Sequence, residues 1–587
     1  MKAMKTKIVG LLLILTMLLV ACGSKQTTAE NQGTSDNLVS SDSKTQTDTT
    51  TETVSPAENQ EVSALVSVGN NLPLQIIDDN YRTYYEVFVY SYCDSDGNGI
   101  GDFNGLTSKL DYINDGDDTT DTDLGFNGIW LMPIMTSTTY HKYDVVDYYS
   151  IDPEYGTMDD FKTFMAECNK RGIKVIIDMV LNHTSSKNQW FVSACDYLKG
   201  LGDGEPDEKD CPYFGYYNFS KGKTSTCTYN VPGTEWYYEA KFWSEMPDLN
   251  LANENLRTEI TNITKYWLDL GVGGFRLDAA KEYYSGNDTA NVDILTWYNS
   301  MVKTLDPKAY IVAEVWSDVD TYAKYYGSQI DSVFDFEFAD SDGIIATAVK
   351  GKSKTTNAIT YGTSVAALND KFGGFNKNYI DAPFYTNHDM ARSAGFYSGD
   401  ERVNQTKIAE ALNLFMSGSA FVYYGDELGM KGAGKDENKR APMQWSTDAT
   451  ATGMCKGPLN MDTIKMLNGS LETQQSDPLS IYNYFKTAIK IRNQNPEIAR
   501  GEVTYLKDIS NESVCVLKKT YNSKEVLLVF NIAAQENSVD LSQITLNGVS
   551  VSDKAIAIEG DLEVGEETAS LTAGQLTVPK YGVTVIW

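Results

Sequence analysis

Histidine is almost missing from this chain, with three residues in 587. A scatter of surface imidazoles is therefore excluded, and each of the three sits in a short polar motif: "YHKYD" around His141, "DMVLNH" ending at His183, and "NHD" at His388. Basic side chains are also scarce, 49 Lys and Arg against 80 Asp and Glu, for a net charge of −31. Without clustered cations to hold phosphates, nucleic acid is excluded as a partner, and a neutral substrate fits better. No CxxC pair and no Cys/His metal spacing occurs, which argues against zinc. The longest apolar run, "IVGLLLILTMLLV" at 8–20, is too short to span a bilayer comfortably as a permanent helix.

What is present begins with that run. Lys2, Lys5 and Lys7 precede it and "LVAC" ends it, so residues 1–22 read as a signal segment. The ending resembles a bacterial lipobox, which implies cleavage before Cys22, lipid on its thiol and an extracellular protein anchored to the outer face of the membrane. An ordinary secretory signal followed by an incidental cysteine is the alternative. Residues 23–62 are rich in Ser, Thr, Gln and acids and poor in large apolar side chains, as in a tether that cannot bury enough surface to fold. Of the seven other cysteines, an odd number, Cys195, Cys211 and Cys227 lie close enough in sequence to hold one disulfide.

From residue 63 to 497 apolar runs alternate with amphipathic stretches. Strands are expected at 84–92, 126–134, 174–182, 273–279, 310–316, 332–338, 382–388 and 420–425, with helices such as "MDDFKTFMAECNKRG" and "LRTEITNITKYWLDLG" between them. Eight strand-then-helix units predict an α/β fold, a (β/α)8 barrel interrupted by an insertion at 184–252; an open doubly wound sheet is the alternative. Residues 498–587 show β-rich runs separated by turns, as in a small antiparallel β-sandwich. A length of 587 residues suits such a catalytic unit with accessory parts, and 37 Tyr and 9 Trp supply faces that pack a core or stack on sugars.

The acids decide between the two folds, because Asp178, Asp278, Glu314 and Asp389 end or closely follow apolar runs. In a barrel those ends converge on one face. Arg276 and Asp278 are two apart and share a strand side, so the cation is expected to keep the carboxylate ionised as a nucleophile requires. Glu314, among apolar and aromatic neighbours in "VAEVW", is expected to have a raised pKa, as suits a general acid. Two such carboxylates are the equipment of a retaining glycosidase.

Four motifs in order, "DMVLNH" (178–183), "GFRLDAAK" (274–281), "EVW" (314–316) and "NHD" (387–389), resemble the α-amylase family, glycoside hydrolase family 13, over about residues 80–587. The resemblance implies Asp278 as nucleophile, Glu314 as acid/base and Asp389 as the third carboxylate. It implies sugar contacts from Tyr143, His141, His183, Arg276 and His388, and one from Lys281 on the leaving-group side. Asp178 and Asn182 could equally just hold loops. A second motif, "DSDGNGIGDFNG" at 94–105, sets Asp94, Asp96, Asn98, the Ile100 carbonyl and Asp102 at alternating positions in a Gly-rich loop suited to Ca²⁺. It resembles the calcium loop of the oligo-1,6-glucosidase side of the family, and a metal-free Asp/Asn/Gly turn is the alternative. "MPDLN" at 246–250 resembles the group between oligo-1,6-glucosidases and neopullulanases.

The expected substrates are starch and maltooligosaccharides, cleaved at α-1,4 links by a monomer, with some transglycosylation. An exo-acting α-glucosidase or glucanotransferase is the alternative, favoured by Asp144 after Tyr143; a catalytically dead starch-binding lipoprotein is another. The segment "ELGMKGAGKDENKRAPMQW" at 427–445 reads as a loop over the barrel mouth in which Asp436, Glu437, Lys439 and Arg440 form a solvated face.

Overall fold

The computed structural model of the protein describes residues 72–351, 355–553 and 556–587. The expected signal segment with Cys22 and the tether at 23–62 lie outside the described residues. Eight strands, β1 (Thr83–Val87), β2 (Gly128–Leu131), β3 (Lys174–Met179), β4 (Gly274–Leu277), β5 (Tyr310–Ala313), β6 (Ser332–Asp335), β7 (Ala382–Pro383) and β8 (Ala420–Tyr423), form one parallel sheet. Its order is 7-6-5-4-3-2-1-8. The first strand pairs with the last, Tyr84 opposite Phe421, and a parallel bridge between Phe384 and Phe421 closes the ring. That closure excludes the open sheet.

Every strand is shorter than its apolar run in the sequence. The run at 84–92 leaves the sheet at Val87 and turns into a short 3₁₀ helix at Val89–Ser91. The reason is geometric, since a ladder holds only while the chain stays in register, and the residues past each end are released to face the barrel mouth.

Period-two alternation sorts the side chains. Tyr84, Trp130, Ile176, Tyr310, Val312, Phe334, Phe384 and Phe421 fill the interior, where the Tyr84 ring stacks on Tyr310 at 5.4 Å and on Phe421 at 4.8 Å. Tyr85, Ile129, Ile177, Phe275, Ile311 and Val422 point outward into the core shared with the helices. Those helices carry ordinary start signals: Thr157 and Asp160 form a capping box for Met158–Lys170, and Asn253 caps Glu254–Asp269.

Between β3 and that second helix lies an insertion with its own helix, Gln189–Gly200, and three short antiparallel strands, Phe219–Lys221, Cys227–Asn230 and Trp236–Glu239. The disulfide expected among Cys195, Cys211 and Cys227 is not formed. All three are buried free thiols, with Cys227 Sγ 3.3 Å from the Asn218 carbonyl oxygen and Cys211 Sγ 3.9 Å from that of Ser193. Aromatic packing, such as Phe191 against Tyr217 and Tyr238, holds the insertion instead.

At the C-terminus a five-stranded and a three-stranded antiparallel sheet face each other across Val514, Val516, Leu527, Val529, Val539 and Val578. The alternate residues Cys515, Leu517, Leu528 and Phe530 turn the other way, into the core shared with the barrel helices. Both faces of the central strands are thus apolar, which explains their nearly unbroken hydrophobic runs.

Gly274 opens β4 with φ 152°, and a Cβ there would come within 2.0 Å of the Tyr310 carbonyl oxygen on β5. Gly274→Ala should push apart the two strands that lead to Asp278 and Glu314. A loss of about 2–4 kcal/mol is expected, visible as a lower thermal midpoint by calorimetry; an unchanged midpoint would show that the strands can part freely.

Candidate active site

Because side chains alternate, the inward positions one step beyond the apolar interior are Glu86, Asp178, Arg276 with Asp278, and Glu314. All five are buried. Their centre is the Arg276 guanidinium, whose Nη1 donates to Asp178 at 2.9 Å and to Asp278 at 2.8 Å, while Nη2 reaches Glu314 at 3.0 Å. The ring of Trp130 lies under it, 5.1 Å from the guanidinium carbon.

The turn after β4 brings Glu314 to the same place. Ala279 takes a left-handed conformation at φ 46°, and its N–H donates to Glu314 Oε2 at 2.8 Å. A non-glycine residue held there is strained, a feature that clusters at functional sites.

One cation serving three buried carboxyls does not neutralise them all. Burial raises the Asp178 carboxyl to about 7 although Arg276 pulls it down, and burial likewise raises Asp278 and Glu314 against the same pull. For Glu314 this is as expected. For Asp278 the expectation needs correcting: the Arg276 contact is present, but loss of water outweighs it and the carboxyl sits above its ordinary range.

Asp389 follows the "NH" of its motif at the edge of the same space. It receives Arg440 Nη2 at 2.8 Å and lies 3.1 Å from His388 Nε2. Burial opposes its ionisation, yet His388 and Arg440 hold it well below the usual carboxylate range. Arg440 is therefore no solvated residue, being 4% exposed. The Lys439 ammonium donates to the Asp389 carbonyl oxygen at 2.8 Å and lies beside Asp436, which reaches the cleft wall. The run at 435–440, KDENKR, is all polar and gives no sign of which side chains turn inward.

The two remaining histidines stand opposite. His141 Nδ1 accepts from the Tyr143 N–H at 3.2 Å, so its ring proton is on Nε2; His183 Nε2 is buried without a hydrogen-bond partner. Burial lowers both pKa values to about 4, so both rings are neutral at pH 7. Between His141 and Tyr143, Lys142 turns at φ 66° and points its ammonium away, to Asp152 at 3.1 Å. The Tyr143 ring lies on His388 at 5.6 Å, and its hydroxyl meets His388 Nε2 at 2.7 Å and Asp178 at 3.1 Å. Asp144, by contrast, is spent inside the loop, accepting from the hydroxyls of Ser137, Thr138 and Thr139. It takes no place at the cleft.

His141, Tyr143, His183, Asp278, Lys281, Glu314, Trp316 and Asp389 are thus gathered around one cavity of about 400 Å³, joined by Phe242 and Met246 from the insertion. Asp178, Arg276 and His388 lie beneath it. Asp178 does more than hold a loop, whereas Asn182 does hold one: its amide bonds Asp248 of "MPDLN" at 3.2 Å, which ties the insertion to the end of β3. Phe242 and Trp316 keep 52% and 48% of their surface exposed, and Trp316 stacks on Phe336. Sequence reasoning passed over Glu86, whose one signal is a charge in the middle of an apolar strand.

These features coincide with known proteins. The catalytic-domain model of alpha amylase matches residues 86–501. The chain belongs to the alpha-amylase family. Alpha-amylase 3 of Dictyoglomus thermophilum is 35% identical over 78% of this chain and 86% of its own length. A 4-alpha-glucanotransferase of Thermotoga maritima is 28% identical over 77% and 96%. Among solved structures, Eubacterium rectale Amy13B aligns with a TM-score of 0.83 at 47% identity, covering 88% of this chain and 97% of that one. As a family member the protein is a retaining glycoside hydrolase, a conclusion that agrees with its paired carboxyls.

The second predicted cluster lies apart, in the loop after β1. Asp94, Asp96 and Asp102 bring one oxygen each within 4.8 Å of the others, and among the described residues none of the three is in an ion pair. Asn98 Oδ1 accepts the Ile100 N–H at 2.7 Å, closing the loop on itself. The donor set is all oxygen, as a hard divalent cation requires.

Arg276→Met removes the cation that, alone among the described residues, is bonded to Asp178, Asp278 and Glu314, and about 3–5 kcal/mol of stability should go with it. The carboxyl pKa values then rise further above their unfolded values, so the deficit must grow as pH rises above those unfolded values and shrink in acid. Thermal midpoints of variant and parent between pH 4.5 and 8 test this; a deficit independent of pH would mean that the arginine acts by packing alone.

Proposed function

We propose that this family member hydrolyses α-1,4 links of starch and maltooligosaccharides from within the chain. The observation that carries the reading is the placement of Asp278 and Glu314 on the two nitrogens of one buried guanidinium, at the floor of a cleft whose walls bear the exposed faces of Phe242 and Trp316. Asp278 is assigned as nucleophile. It attacks the anomeric carbon while Glu314 gives its proton to the departing glucosidic oxygen, leaving a sugar ester on Asp278. Glu314, now a carboxylate, takes a proton from water, whose oxygen attacks the same carbon and frees Asp278. A sugar hydroxyl in place of water gives transglycosylation, and the similarity to a glucanotransferase supports that side reaction.

Asp389, kept ionised by His388 and Arg440, is assigned to the sugar hydroxyls and to the positive charge that develops on the ring. The Nε2 atoms of His141 and His183 face the same ring, the first as a donor. Tyr143 supplies the platform beneath it. Trp316 and Phe242 offer stacking surfaces for further glucose units, and Lys281, bonded to the Trp316 carbonyl at 3.2 Å, stands on that leaving-group side. Aromatic surface beyond the cleaved bond favours endo over exo action.

Ca²⁺ is assigned to Asp94, Asp96 and Asp102, with Asn98 and the Ile100 carbonyl completing the loop. It would bind this loop to β1 and take no part in the bond cleavage. The lipobox-like "LVAC" supports anchoring through Cys22 to the outer face of the cell membrane, with the cleft presented to external glucans as a monomer.

Two measurements follow. Protein lacking residues 1–22, incubated with maltoheptaose, should release mixed short maltooligosaccharides before glucose accumulates, and panose from pullulan would extend the reading to neopullulanase-like action; glucose as the sole early product would overturn endo cleavage. Titration of chelator-treated protein with Ca²⁺ should raise the thermal midpoint, and Asp96→Ala should abolish that rise. A midpoint indifferent to Ca²⁺ would remove the metal.

A further inference from the structure

Glu86 takes part in none of the steps above, yet it is 1% exposed in the middle of β1, on the inward face two residues beyond Tyr84. A carboxyl in such a place is costly unless it is paired. Its partner is His388, with Glu86 Oε1 2.5 Å from Nδ1. The opposite ring nitrogen, Nε2, faces the Tyr143 hydroxyl at 2.7 Å and Asp389 at 3.1 Å. The Tyr143 hydroxyl reaches Asp178, which is bonded to Arg276, and Arg276 holds Asp278 and Glu314. A continuous chain of polar contacts therefore runs from β1 to both reacting carboxyls, with Glu86 at its closed end.

The direction of each hydrogen bond in this chain follows from its ends. A carboxylate at Nδ1 accepts, so Nδ1 carries a proton. Asp389 accepts at the other nitrogen, so Nε2 also carries one. His388 is then a donor on both sides, and the Tyr143 oxygen that accepts from Nε2 is free to donate its own hydrogen to Asp178. We propose that Glu86 is a positioning residue of the reaction centre, fixing the His388 ring as a double donor and thereby the orientation of Tyr143, Asp178 and Asp389 around the sugar site. The inference rests on the assignment of that site to α-glucan cleavage, but its first link does not depend on it.

The charged groups facing His388 are mainly acids, opposed by the Arg276 cation. Glu86 comes from β1, Trp130 from β2 with its ring 5.7 Å away, Tyr143 from the following loop, Asp178 from β3, Arg276 and Asp278 from β4, and Asp389 is adjacent in the chain. Burial alone would lower the imidazole pKa, but Asp389 and Glu86 raise it to about 9. His141 and His183, near 4, are neutral at pH 7. With three histidines in the chain, the protonation of each ring can be followed by nitrogen NMR.

The experiment compares the parent enzyme with Glu86→Gln, which can still accept from Nδ1 but bears no charge, and Glu86→Asp, which keeps the charge on a shorter arm. One imidazolium at pH 7 is expected in the parent. In Glu86→Gln its titration should move to lower pH and kcat on maltoheptaose should fall about tenfold or more with a smaller change in KM, and Glu86→Asp should restore part of both. A parent with no imidazolium at pH 7, or a His388 titration unchanged in Glu86→Gln, would overturn the proposal. So would a shifted titration with unchanged kcat, because Glu86 would then be structural only. A parent inactive on every α-glucan would sink the assigned substrate while the NMR comparison still decides the Glu86–His388 link.

Discussion

Everything at the barrel mouth depends on one buried guanidinium. Arg276 is bonded to Asp178, Asp278 and Glu314, side chains from three neighbouring strands or their ends. No other cation is bonded to any of the three among the described residues. Removing a charge from water is expensive, and three carboxyls around one cation are tolerable only if at least one keeps a proton or the group is completed by further donors. Both tendencies are present here: burial raises all three carboxyls, Asp178 to about 7, and Tyr143 and the Ala279 N–H supply hydrogen bonds. That compromise is chemically useful, because a raised carboxyl pKa favours proton donation to a leaving group.

The closed sheet makes this possible. Strand pairing fixes which residues face inward, and closure of β7 on β8 brings the inward positions of all strands to one axis. Aromatic and branched side chains fill the lower layers, so water is kept from the floor of the site. Polar residues can occupy the top layer only by pairing with each other. His388 and Asp389 join the same set from the loop after β7, and Arg440 closes it from the loop after β8. The insertion between β3 and the next helix adds the far wall, tied back through Asp248 to Asn182. Its three cysteines are packed rather than bridged.

Much of this was legible in the sequence because it is written with period two or in fixed local motifs. The eight apolar runs announced the strands, and acids at their ends announced the mouth. What could not be read was the partner of each charge. Arg276 beside Asp278 in sequence suggested a two-residue pair, whereas the structure gives the arginine two further carboxyls, and burial raises the Asp278 pKa against the arginine's pull. Arg440 looked solvated because it ends the charged run Lys435–Arg440, and only the fold of that loop over Asp389 buries it. Glu86 passed unnoticed since a lone acid in a strand has no local signature. Asp144 erred the other way, sitting beside cleft residues in the sequence but turned into its own loop.

The sequence by itself determined the strand and helix pattern, the acids at the strand ends, the rarity of histidine and, through its four motifs, membership of the alpha-amylase family. These are local properties, set by side-chain alternation and by the residues adjacent in the chain. Tertiary structure alone decided which carboxyls share the single cation, which direction their pKa values move, that Glu86 grips His388, and that the cysteines remain free. The physical reason is that burial and electrostatic pairing depend on distances through space: Glu86 and His388 are 302 positions apart in the chain and 2.5 Å apart in the fold.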